Sequence, residues 1–562
     1  MGVTLLTDSK MIRENIGLNI DAVTSQSANY LDGPRDRQPL LACAEKEKIL
    51  LVREIELGNF VNGGCGENAI NANNLTLGVY DSYFTMSNQG QAFHVYQTEG
   101  DALRNEYGII QADAYTDMPY SRYCRVKESV DINLTDNLPL NDHYYVYEVD
   151  LRYVNEVFTT VDEKDVNLAM RMLKEYTHAT EAQRKILFHY MVKKGDNLFD
   201  QLSHMMDEAG VDAIWFDTRL NIHLMTALPW ETLKDGGIFG YYNKKKFYFI
   251  TTRKCNTTFM QYKKEYTGFS ELVDAIIVED RIGIEEKNLP VGRVLAIGEQ
   301  RCKDVTALLM LWRDRHANQM LAYYIINGIG NNYAMEKAVS YAAEILKNAV
   351  QTSERDVELR YCEQLQMFMD QFGVKDLELR KYFAGIQAGT RTPYPALPSD
   401  YLLHTNMKTL RLDCGAQLFR SGILLSGSDQ ARTLCLESKG SEVYALLGKL
   451  IRQSIIPLMR GGITGDEAYW RGMDELLKSE TKLKKIGMLD TEFTLKESFN
   501  RNMGHTFSKT ESNSATVAKN DMRVFEEQMI GCIEFQWPYQ DTILGVEDMF
   551  FIAKEGPINF TY

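Results

Sequence analysis

The run LRLDCGAQ at 410–417, followed by SGSDQARTL at 426–434, decides how this chain reads. Each sets one aspartate, Asp413 or Asp429, inside a short apolar stretch of the kind that forms a buried strand. A carboxylate flanked by Leu410, Leu412 and Cys414 is costly to bury without a partner. Toward the C-terminus the pattern recurs. His505 lies in NMGHTF (502–507), Glu534 in MIGCIEFQ (529–536) and Glu547 in ILGVEDMFFI (543–552). Taken singly, each has a bland reading: a turn or edge-strand aspartate, a hydrogen-bonded core histidine, a solvated strand glutamate. Taken in order, four carboxylates and an imidazole suffice to hold two divalent ions, and such a donor set suits Mn, Fe(II), Co or Zn.

Size and charge bound the rest. At 562 residues the chain is long enough for two to four domains, and 44% hydrophobic with 25% charged residues is ordinary globular composition. The formal charge of −15, with no basic patch interleaved with aromatics, argues against nucleic acid and against anionic membrane surfaces. No apolar run approaches the length of a membrane span, and the first 30 residues lack the basic start and apolar run of a signal peptide. Nine scattered cysteines without a C-x-x-C predict reduced thiols and a cytoplasmic setting. The N-x-[ST] matches at Asn74, Asn133, Asn256 and Asn559 are then chance. Asn62-Gly63-Gly64-Cys65-Gly66 lacks the phosphate-loop pattern and reads as a loop.

Upstream, two segments look like copies of one module. Ile20-Asp21-Ala22-Val23, Asn29-Tyr30-Leu31 and a strand near Lys48–Val52 parallel Val211-Asp212-Ala213-Ile214, Asn221-Ile222-His223-Leu224 and Lys246–Ile250. Between them, Val166, Ala169, Met170, Leu173 and Tyr176 recur at helical spacing, within a helical stretch from about Asp162 to Ala209. Residues 80–150 show little periodicity and read as an irregular extension of the first copy. Residues 303–325 and 333–372 read as helices, with Ser353 as an N-cap.

These motifs resemble the pita-bread family: methionine aminopeptidase, aminopeptidase P, prolidase and creatinase. Ser428-Asp429-Gln430-Ala431-Arg432-Thr433 matches its S-D-x-x-R-T strand, Gly504-His505 its G-H pair, Gln528–Glu534 its glutamate strand, and Val546-Glu547-Asp548 its closing I-E-D. The resemblance covers roughly residues 330–562. It implies an α/β (α+β) chain whose C-terminal pita-bread domain is preceded by two creatinase-type N-terminal α/β modules. The boundaries are 1–160 for the first module with its extension, 161–325 for the helical linker and second module, and 326–562 for the metal-binding domain. It further implies two divalent metal ions (Mn, Fe, Co or Zn) on Asp413, Asp429, His505, Glu534 and Glu547, a homodimer, and a small-molecule or short-peptide substrate.

The departures matter too. The two aspartates stand 16 positions apart, wider than the family usually has, which predicts a longer turn within Gln417–Gly427. Where the peptidases carry substrate-handling histidines, this chain has Arg501, Ser508–Ser512 and Thr392–Pro398. Arg501, Tyr394 and His404 are the candidates for substrate contact or acid–base work, with Lys509 and Glu511 behind them and Arg432 as a structural residue that pairs with a ligand carboxylate. The expected function is a metal-dependent enzyme whose default chemistry is C–N bond hydrolysis, and not a standard Xaa-Pro peptidase. A lyase or an oxidative di-iron or di-manganese enzyme, a non-catalytic binding protein and a plain aminopeptidase P stay open as alternatives.

Overall fold

Runs of aromatic and β-branched residues form the strands, and polar capping residues punctuate the helices between them. The computed structural model describes four short strands upstream and residues 143–562, apart from 234–237, 253, 286–293, 295, 393–397, 399–400, 486–501, 510 and 541. Upstream, β1 (Val3–Leu6) pairs in parallel with β2 (Ile49–Arg53). β3 (Tyr83–Met86) and β4 (Phe93–Tyr96) continue that sheet antiparallel. The rest of the first repeat copy lies outside the described residues.

Beyond residue 142, contacts group 143–159 with 196–309, and 160–195 with 310–562. The first group is built on seven strands: β5 (His143–Val149), β6 (Ala213–Phe216), β7 (Ile238–Tyr242), β8 (Phe247–Thr251), β9 (Met260–Thr267), β10 (Ile282–Ile284) and β11 (Cys302–Asp304). Their order is β11-β10-β6-β7-β8-β5-β9, parallel on the β11-β10-β6 side and antiparallel elsewhere. The stretch 143–149, expected to be irregular, is therefore a strand; its HYYVYEV run is rich in β-formers. Asn221–Leu224 lies in a buried helix, α5 (Arg219–Thr226), which follows α1 (Leu151–Thr159) and α4 (Leu198–Ala209) in this group.

The expected helical stretch after residue 162 is three helices: α2 (Glu163–Tyr176), α3 (Glu181–Val192) and α4. Thr180 and Asn197 divide it, because each side chain accepts from backbone N–H groups that open the next helix. In the C-terminal group, α6 (Leu321–Lys347) runs unbroken across the expected gap near 330, and α7 (Glu354–Gln371) starts at Ser353, whose capping box with Asp356 is complete.

Two antiparallel sheets complete this group. The first holds β12 (Glu378–Ala388), β13 (Thr409–Arg420), β14 (Ile423–Gly427) and β15 (Gln430–Cys435). The second has the order β17 (Glu511–Thr516), β16 (Gly504–Phe507), β18 (Ile530–Tyr539), β19 (Thr542–Ala553), β20 (Gly556–Asn559). β15 and β19 run side by side: the Thr433 hydroxyl donates to the Gly545 carbonyl at 2.9 Å and accepts from the Gly545 amide at 2.8 Å.

The extra residues between the aspartates do not make a longer turn. They lengthen a hairpin, β13–β14, which closes through only Ser421 and Gly422, both at positive φ (50° and 80°). At its tip Arg420 reaches Asp165 of α2, at 3.0 and 2.9 Å. A mixed α/β architecture is what the sequence predicts and what the chain adopts.

Candidate metal centre

Strand alternation places the candidate ligands on common faces. Asp413 lies opposite Gly385 on one side and Ala431 on the other, and Asp429 is two residues before Ala431. β13 pairs with β14 below Asp429 and with β15 above it. The interruption is filled by side chains from α6. Asn327 donates to the Ala416 and Ser426 carbonyls, both at 3.1 Å, and accepts from the Ser428 hydroxyl at 2.9 Å. Asn331 donates to the Cys414 carbonyl at 2.8 Å, and Tyr361 donates to Asn331 at 2.7 Å. These bonds hold the strand backbone on either side of Asp413 and Asp429.

On the second sheet, Glu534 and Glu547 are direct partners across the β18–β19 ladder, and His505 lies opposite Cys532. Cys532, Glu534 and Gln536 alternate onto one face of β18, which Glu547 shares. Two glutamates directly opposite repel each other unless a cation offsets the charge. The glycine before His505 has a steric cause. A Cβ at Gly504 (φ 151°) would stand 2.1 Å from the Cys532 carbonyl oxygen.

The side chains converge in two groups. Carboxylate oxygens of Asp413, Asp429 and Glu547 lie within 4.8 Å of one another. A His505 nitrogen, the Cys532 sulfur and a Glu547 oxygen do the same. Glu547 belongs to both. His505 is buried, and its Nδ1 lies 2.9 Å from the Thr506 carbonyl, an acceptor, so Nδ1 carries the proton. Nε2, the other ring nitrogen, lies 3.9 Å from the Glu547 carboxylate. Burial first, and then the negative charges of Glu547, Asp429 and Glu534, push the Cys532 thiol well up from its ordinary value. Glu534 is therefore beside the same cluster, partly exposed.

Neighbouring residues orient the acids. Gln536 Nε2 donates to Asp413 at 3.0 Å, while its oxygen accepts from Arg411 at 3.1 Å; Arg411 also donates to Gln387 at 2.7 Å. Arg432 donates to the Glu547 carbonyl at 2.5 Å and to Asp548 at 2.7 Å, which Arg452 also reaches at 2.6 Å. Arg432 thus serves as an ion-pair former, but its partner is the neighbour of Glu547. Burial alone would raise the Asp548 carboxyl; the two guanidiniums outweigh it and hold the group below its usual range.

Of the other candidates, Arg501 and Tyr394 lie outside the described residues. His404 is exposed, with its ring edge-on to Tyr401, and joins neither group. Lys509 is buried, donates to the Leu424 and Leu425 carbonyls at 2.9 and 2.6 Å, and is pushed down by burial to about 7. Cys532 and Gln536 are new. Their signal in the sequence was the two-residue alternation with Glu534, which puts all three on one face of β18.

Three carboxylates so close, beside an imidazole and a thiol, form a donor set that fits divalent first-row metals. Solved structures similar to this chain include the prolidase from Pyrococcus horikoshii, 17% identical, covering 65% of this chain and 98% of that one, with TM-score 0.45. An X-Pro aminopeptidase from Thermotoga maritima is 11% identical, covering 65% of this chain and 97% of that one, with TM-score 0.47. An X-prolyl aminopeptidase from Caenorhabditis elegans, described as a cytosolic enzyme with a di-nuclear active site, is 13% identical, covering 63% and 58%, with TM-score 0.46. No family model and no curated protein matches the chain.

Proposed function

We propose that the C-terminal unit is a pita-bread metallohydrolase that cleaves a C–N bond of a short-peptide or amino-acid-like substrate at a dinuclear centre. The observation that carries this reading is the convergence of Asp413, Asp429 and Glu547 within 4.8 Å, with His505 and Glu547 forming part of a second group. Two divalent ions there would supply Lewis-acid polarisation of a carbonyl and a water of lowered pKa. Asp413, Asp429, Glu534 and Glu547 would hold the ions, and Glu547, common to both groups, would serve each. His505 would offer Nε2, with its Nδ1 proton committed to the Thr506 carbonyl. Gln536 and Arg432 would fix the positions of Asp413 and of the Glu547 backbone.

The absence of histidine at the sequence positions Arg501 and Ser512 supports a substrate other than Xaa-Pro peptides. A proton donor missing from those positions costs about two to four orders of magnitude in rate. Six free cysteines among the described residues, and no helix among them long and apolar enough to cross a membrane, support a reducing, cytoplasmic setting. A homodimer belongs to the same reading.

The test is turnover of a dipeptide, tripeptide and amino-acid-amide panel by protein loaded with Mn, Co or Zn. Hydrolysis of non-proline substrates that stops with chelator supports the proposal. Metal-loaded protein that cleaves none of the panel contradicts it, and robust turnover of X-Pro peptides would overturn the specificity.

A further inference from the structure

The two donor groups differ in chemistry. Asp413, Asp429 and Glu547 offer oxygen alone, whereas His505, Cys532 and Glu547 offer nitrogen, sulfur and oxygen. Cys532 stands between Gly531 and Ile533, and a free buried cysteine commonly behaves as a small hydrophobe. The fold gives it another position. It is fully buried and stands across the ladder from His505, on the face that Glu534 and Glu547 share. Its sulfur lies 3.8 Å from the Asp429 carbonyl, at the junction of the two sheets.

We propose that Cys532 is a ligand, and that its thiolate joins His505 and Glu547 on one ion of an asymmetric pair. The inference rests on the dinuclear reading above and adds the metal preference of one site. On binding, an Sγ–metal bond forms, the S–H bond breaks and the proton leaves to solvent; a coordinating thiol is deprotonated outright. A thiolate turns an oxygen-rich site, suited to Mn, into a mixed site that favours Zn, Fe(II) or Co. The ion between Asp413 and Asp429 keeps an all-oxygen set. The two ions therefore differ in identity or in affinity, and sulfur-avid metals fill the His505 side first.

Titration of the full-length protein with Co(II) under reducing conditions tests this, because thiolate coordination adds an intense sulfur-to-cobalt charge-transfer absorption in the near ultraviolet. The band should appear with the first equivalent in the wild type. It should vanish in Cys532→Ser and Cys532→Ala, with their fold checked by circular dichroism, and remain in Cys414→Ser, whose cysteine faces away from Asp413. Cobalt bound by the wild type without the band overturns the ligand role with no variant needed, as does a band that survives Cys532→Ala. Protein that binds no cobalt at all overturns the dinuclear reading itself, a result distinct from binding without the band.

Discussion

Glu547 and Asp548 are consecutive residues of β19, and alternation sends their side chains to opposite faces. On the outer face Asp548 is fully buried and closed by two guanidiniums, Arg432 at 2.7 Å and Arg452 at 2.6 Å. On the inner face Glu547 meets Asp413, Asp429, His505 and Cys532. One strand thus buries two neighbouring acids by two means. The outer acid has its counter-charge built into the chain, whereas the inner cluster gathers three carboxylates beside an imidazole and a thiol, and the proposal above assigns it a cation from solution. The lesson is that a buried carboxylate in a sequence is ambiguous until its partners are known.

The largest effect expected is on the inner face. Glu547→Ala removes the residue shared by both donor groups and should abolish tight binding of both ions, read by elemental analysis after dialysis. In the metal-free state the same variant should be no less stable than the wild type, because it relieves like-charge repulsion. A clear loss of metal-free stability would show that Glu547 is structural, as Asp548 is.

The outer face should behave in the opposite way. Asp548→Ala leaves the buried Arg432 and the half-buried Arg452 without their shared partner, and breaking a buried pair costs about 3–5 kcal/mol. Urea denaturation of metal-free protein should show that loss. Because the folded carboxyl lies below its unfolded value of about 3.9, its contribution is complete above that pH and disappears as pH falls through the folded value. The stability gap between wild type and Asp548→Asn should therefore be constant near neutrality and shrink on acidification. A gap that instead grows in acid would contradict the assigned ion pair.

Gln536→Leu sharpens the boundary between the two faces. It removes the 3.0 Å bond to Asp413 while sparing every proposed ligand. Loss of such an outer contact lowers metal affinity by about 10–100-fold, measurable by chelator competition; unchanged affinity would mean that Asp413 is held by other contacts. The smallest effect lies away from both faces. Ser353→Ala breaks the capping box of α7 and should cost about 1 kcal/mol, with metal content unchanged.

Much of this was legible in the residues. The acids of β13, β18 and β19 declared themselves because apolar flanks make an unpaired charge costly, and Ser353 because a cap leaves a local signature. Three things were not legible. The 16-residue spacing between Asp413 and Asp429 gave a count but no shape, and the structure spends it on a hairpin whose tip Arg420 holds Asp165 of α2. The partner of Arg432 depended on β15 lying beside β19, a long-range adjacency without local signal. Cys532 does not declare itself because a thiol is compatible with an apolar strand, and only the register opposite His505 shows what surrounds it.

The central claim is that Asp413, Asp429, His505, Glu534 and Glu547 hold two ions, and metal content tests it most directly. Protein purified without chelator and resupplied with Mn, Co or Zn should carry about two first-row ions per chain, as a two-metal site requires. Asp429→Ala and Glu534→Ala should each carry fewer. A wild type that takes up no metal, or full retention of metal in both variants, would contradict the account.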